Sequence, residues 1–157
     1  MNAVNPLIRF SDTESKPGQP VTFRVDLLPL SLNYWSRSFW TVRAREAADT
    51  KIVVHAALGV KLRQWSMLNG VWFKEPVSIA LVYFIGEKVQ TKVGIRRRHA
   101  NLDVDNLVPK HIIDAMKGVL IADDNRKLVP LVSQEAVDVS GVGGYTVVTV
   151  APYSRAW

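Results

Sequence analysis

Ten residues in the middle of the chain, Pro76-Val77-Ser78-Ile79-Ala80-Leu81-Val82-Tyr83-Phe84-Ile85, form an almost unbroken apolar run rich in β-branched and aromatic side chains. Such a run reads as a central strand, and a central strand needs partners at its edges and cover on its faces. The flanking sequence offers both. Val21-Thr22-Phe23-Arg24-Val25-Asp26-Leu27 alternates apolar with polar residues, the period of a half-buried strand. From about Ser36 to Gln64 there is no proline, and Ala44, Ala47, Ala48, Ile52, Val53, Ala56 and Ala57 recur at roughly helical spacing. That pattern predicts one long amphipathic helix with a possible break near Gly59.

Further along, Gly86 to Asn101 is basic and reads as a partly irregular loop. A helix is expected from about Leu107 to Lys117, with Asp105 or Asn106 as its cap, Pro109 in its first turn and Gly118 at its end. Val129 to Val139 and Gly144 to Ala151 are Val-rich with partial alternation. The segment Ser140-Gly141-Val142-Gly143-Gly144 between them predicts a hairpin. The expected order is β-α-β-α-β-β: an α/β (α+β) single domain over residues 21–157, with a small mixed sheet packed by helices. Residues 1–20 are polar, end at Pro17-Gly18-Gln19-Pro20, and are expected to be a flexible tail.

The chain length of 157 residues suits one domain, not two. There is no cysteine, which removes disulfides, thiolate metal sites and cysteine nucleophiles from consideration. No stretch approaches the roughly 20 apolar residues of a membrane helix, and the first residues lack the pattern of a secretory signal. A soluble, cytoplasmic protein with no membrane partner is the expectation. The formal net charge of +6 favours a polyanionic partner, nucleic acid first.

The acidic minority is unevenly placed. Of nine aspartates, five lie between positions 103 and 124: Asp103, Asp105, Asp114, Asp123 and Asp124. Like charges crowded together need a compensator, and a divalent cation is the simplest. Asp103 and Asp105 are two residues apart, so on an extended backbone both carboxylates fall on one side. Asp123 and Asp124 follow Val119-Leu120-Ile121-Ala122, at the far end of the expected helix and roughly 15–20 Å along its axis. Asp124 therefore meets the first pair only if the chain turns back after Gly118. Oxygen ligands without thiolates suit Mg²⁺ or Mn²⁺ rather than Zn²⁺. With Arg96-Arg97-Arg98 just upstream, the combination fits metal-assisted phosphodiester cleavage. The plainer alternative is a helix cap at Asp105-Asn106 and a polar turn at Asp123-Asp124-Asn125-Arg126.

Several of these pieces together resemble the RusA-type Holliday junction resolvases of phages and prophages. They are Asp103-Val104-Asp105-Asn106-Leu107, Ile112-Ile113-Asp114-Ala115-Met116-Lys117-Gly118, Leu120-Ile121-Ala122-Asp123-Asp124, the preceding arginines, and Pro29-Leu30-Ser31-Leu32-Asn33. They span roughly residues 21–150. The resemblance implies a homodimeric, Mg²⁺-dependent endonuclease (Mn²⁺ able to substitute) that nicks two opposed strands of a four-way DNA junction. It implies Asp103, Asp105 and Asp124 as metal ligands, Asp123 and Asn106 as outer-sphere partners, and Lys110 as a further catalytic or phosphate-binding residue. Arg96, Arg97, Arg98 and Asn33 would contact DNA. Lys110 stands one place later than the family's lysine, because Val108 and Pro109 intervene, and His99-Ala100-Asn101-Leu102 separates the arginines from Asp103.

Two other readings stay open: a nuclease selective for other branched DNA or for RNA, and a basic nucleic-acid-binding protein without catalysis. The five tryptophans are expected to pack in the core or at a dimer interface. Trp35 and Trp40 have the alternative of stacking on unpaired bases.

Overall fold

The computed structural model describes residues 16–97 and 104–155. Their elements are strands β1 (Val21–Val25) and β2 (Leu30–Ser31), helices α1 (Leu32–Arg37), α2 (Trp40–Leu58) and α3 (Val60–Asn69), and strands β3 (Val77–Thr91), β4 (Gly94–Arg97) and β5 (Leu107–Val108). Helix α4 (Lys110–Met116) and strands β6 (Leu131–Val142) and β7 (Gly144–Pro152) complete the order. This is the expected mixed α/β domain with a single core.

The apolar run is the axis of the sheet. β3 pairs antiparallel with β7 on one edge, Ile79 opposite Val150 and Leu81 opposite Val148, and β1 joins the far side of β7. On its other edge β3 pairs parallel with β6 and, at its end, antiparallel with β4. The two-residue period puts Val77, Ile79, Leu81, Tyr83 and Ile85 of β3 on one face with Val21, Phe23 and Val25 of β1 and Val148 and Val150 of β7. That face is buried beneath the helices through Val54, Leu58, Leu62, Ile112, Ala115 and Met116. The opposite face is only half-buried. There Phe84 stacks on Tyr145 at 4.7 Å, and the Arg24 guanidinium lies 3.7 Å from the centre of the Tyr145 ring.

Four local expectations are corrected. The helix expected over about 36–64 is three helices. Ser31 caps α1, its Oγ accepting from the Tyr34 N–H at 3.3 Å; the break expected near Gly59 is present between α2 and α3, where φ of Gly59 is +85°. The helix expected from Leu107 starts at Lys110, because Leu107–Val108 pairs with β2 instead. Asp105 and Asn106 lie in a short 3₁₀ turn, Val104–Asn106, and do not cap α4, whose N-cap position is Pro109. The segment read as an irregular basic loop is, as far as residue 97, the continuation of β3 and its hairpin to β4.

The fourth correction concerns the last two strands, which do not pair as a hairpin. β6 and β7 lie on opposite edges of β3, and residues 141–143 cross over β3 at Gly86. The Gly86 N–H donates to Gly143 O at 2.8 Å, and the Gly143 N–H donates to Lys88 O at 2.9 Å. A Cβ at Gly86 would collide with the Gly143 carbonyl oxygen. The glycine-rich stretch is thus a crossing and not a two-residue turn. Of the expected tail, residues 16–20 are described, and Trp72 Nε1 donates to Gln19 O at 3.0 Å.

Candidate metal and nucleic-acid site

The Asp105 loop is held by a two-residue ladder. Ser31 pairs with Leu107 and Leu30 with Val108, antiparallel. The ladder ends there: Asn33 follows β2 in α1, and Asp105 and Asn106 precede β5 in the 3₁₀ turn. The Pro29–Asn33 turn and the Asp-Asn-Leu segment, more than seventy positions apart, are therefore neighbours. Asp105 is exposed, Asn106 half-buried and Asn33 exposed, with the Asn33 carbonyl accepting from Ser36 Oγ at 3.2 Å. Leu107 is the buried anchor of the loop.

Helix α4 leaves this loop with an inward face, Ile112, Ile113, Ala115 and Met116, that fixes its rotation against the sheet. His55 Nε2 on α2 donates to Ala115 O at 2.9 Å and ties the two helices together. After Met116 the chain reverses. Gly118 takes φ +81°, its N–H donates to Ile121 O at 2.8 Å, and Lys117 bridges to Ile121. Val119, Leu120 and Ile121 are buried, so this return is anchored in the core.

The reversal brings Asp123 and Asp124 back beside α4. Lys117 Nζ lies 2.8 Å from Asp124 Oδ1, 3.0 Å from Asp114 Oδ1 and 3.6 Å from Asp123 Oδ1, while Lys110 Nζ lies 3.1 Å from Asp114 Oδ2. Asp114 thus links the two lysines along one helix face, and Lys117 links the helix to the later acid pair. Hydrogen bonding to Asp124, then to Asp114, raises the Lys117 ammonium above its ordinary value. Burial works to raise Asp114, but the Lys117 and Lys110 partners outweigh it and hold the carboxyl below its usual range. Asp123 is also lowered, first by the Asn125 side chain and then by the Asp124 N–H. Those contacts, Asn125 Nδ2 to Asp123 Oδ2 and Asp124 N to Asp123 Oδ1, both 2.9 Å, fix the backbone of the turn that carries Asp124.

The structure therefore pairs the Leu30–Ser31 segment with Leu107–Val108, and brings Asp123 and Asp124 back to Lys117 at the C-terminal end of α4. Asp103 and Arg98 lie outside the described residues. Among the described residues, no three Asp, Glu or His side chains gather as a metal cage. The donor chemistry of Asp105 and Asp124, carboxylate oxygens on exposed or half-buried side chains, suits a hard cation such as Mg²⁺.

Arg96 and Arg97 are exposed on β4, and Arg97 stands directly opposite Lys88 on β3. Like charges directly opposed on a ladder are unfavourable unless an anion lies against them. Sequence reasoning missed three participants: Asp114 and Lys117 as the ion-pair hub, and Lys88 as the partner of Arg97. The i,i+4 and i,i+3 spacing of Lys110, Asp114 and Lys117 is a readable signal for the helical part of the hub. No helix among the described residues is long and apolar enough to cross a membrane.

No protein-family model matches the chain, and no curated protein matches it either.

Proposed function

We propose that the protein is a Mg²⁺-dependent endonuclease acting on branched DNA, four-way junctions first, and working as a homodimer. One observation carries most of the support: the chain reverses after α4, so that Asp124 lies against Lys117 at the C-terminal end of the helix whose other end follows the Asp105 segment. Asp103, Asp105 and Asp124 would hold the ion. When bound, it would acidify a water and neutralise charge on the phosphorane. Asp123 holds the Asp124 backbone N–H, and Lys117 holds one oxygen of the Asp124 carboxylate. Lys110, at the first turn of the same helix and paired with Asp114, would neutralise a phosphate. Lys88, Arg96 and Arg97, with Arg98 following, neutralise the DNA backbone. Asn106 and Asn33 supply polar contacts at the loop. Two active sites, one per subunit, match the need to nick two opposed strands.

The test is cleavage of a synthetic four-way junction in Mg²⁺ and Mn²⁺ by the wild-type protein and by Asp103→Asn and Asp124→Asn. Both variants should lose cutting by at least about a hundredfold, a range typical for the loss of one catalytic group, and retain junction binding. Cutting at the wild-type rate by either variant removes the assignment.

A second reading is favoured by the turn around Asp123. Both its oxygens are occupied within the turn, and Asn125 Oδ1 accepts from Lys127 N at 3.0 Å and Leu128 N at 3.2 Å, as in a purely structural turn. On that reading the protein binds nucleic acid without cutting it. Wild-type protein that binds junctions but cuts no branched DNA or RNA in either metal establishes this second reading.

A further inference from the structure

Phe39 and Trp40 are 80% and 78% exposed, adjacent in sequence, at the start of α2. Packing, the first expectation for the tryptophans, accounts for Trp72, which is buried and meets Trp65 edge-on at 5.0 Å, but among the described residues it does not account for Trp40. We infer that Phe39 and Trp40 form a stacking platform for unpaired bases at a DNA branch point, an inference that rests on the nucleic-acid reading above and adds the element that distinguishes a branch from a duplex.

The corner that displays the rings is braced. Ser38 Oγ donates to Tyr34 O at 2.6 Å. Arg43 Nη2 donates to Ser36 O at 3.2 Å while its guanidinium lies 4.4 Å from the centre of the Trp35 ring. The Phe39 carbonyl accepts from the N–H groups of Val42 and Arg43, so Phe39 holds the N-cap position of α2 without a capping side chain. Ser, Thr, Asp or Asn would stabilise the helix better there. An exposed aromatic at a cap, followed by an exposed tryptophan, is a stability cost with no return among the described residues.

The surroundings choose the partner. Between Leu27 and Arg45 there are three arginines, Arg37, Arg43 and Arg45, and no acidic residue. A second copy docking symmetrically on this corner would set those arginines against themselves. A polyanion does not meet that penalty. Phosphates alone have no use for two exposed rings, whereas base faces do, and each stacked base adds affinity without sequence preference. In a duplex those faces are already stacked; at a branch they are accessible. The corner is also near the acidic loop. α1 starts right after Ser31, which pairs with Leu107, and α1 is about 9 Å long at 1.5 Å per residue.

The experiment compares wild type, the double variant Phe39→Ala/Trp40→Ala, and Trp40→Phe. Binding to a four-way junction carrying 2-aminopurine at the branch, and to a linear duplex of equal length, is measured in EDTA at fixed salt. The double variant should lose about tenfold or more in junction affinity, keep its duplex affinity within about twofold, and abolish the change in 2-aminopurine fluorescence. Trp40→Phe should retain most of both signals. Equal losses on junction and duplex, no loss on either, or a change of oligomeric state in the double variant each overturn the inference. Parallel cleavage assays in Mg²⁺ separate it from the nuclease reading. Wild type that gives the fluorescence change but never cuts removes the nuclease alone. Wild type that cuts, alongside a double variant with unaltered junction preference, removes the stacking platform alone.

Discussion

Lys117 Nζ sits 2.8 Å from Asp124 Oδ1 while also holding Asp114 Oδ1 at 3.0 Å, so one ammonium joins the end of α4 to an acid seven positions further along the chain. The side chains involved are each about one-third exposed. Lys117→Met leaves Asp114 with Lys110 alone and Asp124 without its lysine. The variant should be destabilised by about 1–2 kcal/mol, the range for losing a partly buried charged partner, read as a lower urea midpoint with an unchanged denaturant slope. A midpoint equal to wild type would show that the hub contributes nothing to folding.

Asp114 gives that hub a pH dependence with a defined sign. Its carboxyl is lower in the folded chain than in the unfolded one, so its ion pairs stabilise the protein above the ordinary carboxylate range. The contribution is lost as pH falls through the folded value. Asp114→Asn should therefore be less stable than wild type near pH 7, by about 1 kcal/mol for pairs this exposed, and the two should converge as pH falls below the ordinary carboxylate range. Melting temperatures across that range decide it. A gap that persists undiminished in acid would mean that the asparagine disturbs packing and not charge.

The crossing over β3 makes a sharper demand. Gly86 is where residues 141–143 pass, and a methyl group there meets backbone oxygen, not a side chain that can swing away. Gly86→Ala should cost about 2–3 kcal/mol, as overpacking against a rigid neighbour does. Chemical denaturation measures it. An alanine variant as stable as wild type would mean that the crossing lies elsewhere.

Gly86 also marks the boundary of what the sequence makes legible. The alternation in β1 and the apolar run of β3 depend on burial period alone, and both are read correctly from their own residues. The break at Gly59 is legible because glycine there takes a conformation other residues avoid. The placement of β6 is not. Two Val-rich strands joined by glycines have the same local pattern whether they pair with each other or with a third strand between them, and the difference is decided by β3, some fifty residues earlier. The start of α4 was misread for a similar reason: Leu107 and Val108 suit a helix locally, but the ladder to Leu30 and Ser31 claims them. In the candidate site, the acids and arginines stand out by charge. The reversal that brings Asp124 back depends on burial of Val119, Leu120 and Ile121, which carries no charge signal. The extension of β3 into the basic hairpin is masked by Lys88 and Lys92 and by Arg96 and Arg97 of the partner strand, whose charge reads as loop.

That hairpin supports the last prediction. Lys88 and Arg97 face each other on the ladder, a repulsive pair in the isolated chain that a bound phosphate would turn into a clamp. A backbone contact of this type carries no sequence or shape information. Arg97→Ala should accordingly weaken binding to junction and to linear duplex by the same factor, and should lower the slope of log affinity against log salt by about 1. The same substitution relieves the repulsion, so the free protein should be no less stable than wild type. Binding isotherms over a salt series test the first two points and thermal unfolding the third. A loss confined to junctions would mean that Arg97 reads branch shape and not backbone charge, and an unchanged salt slope would remove the hairpin from the DNA-binding surface.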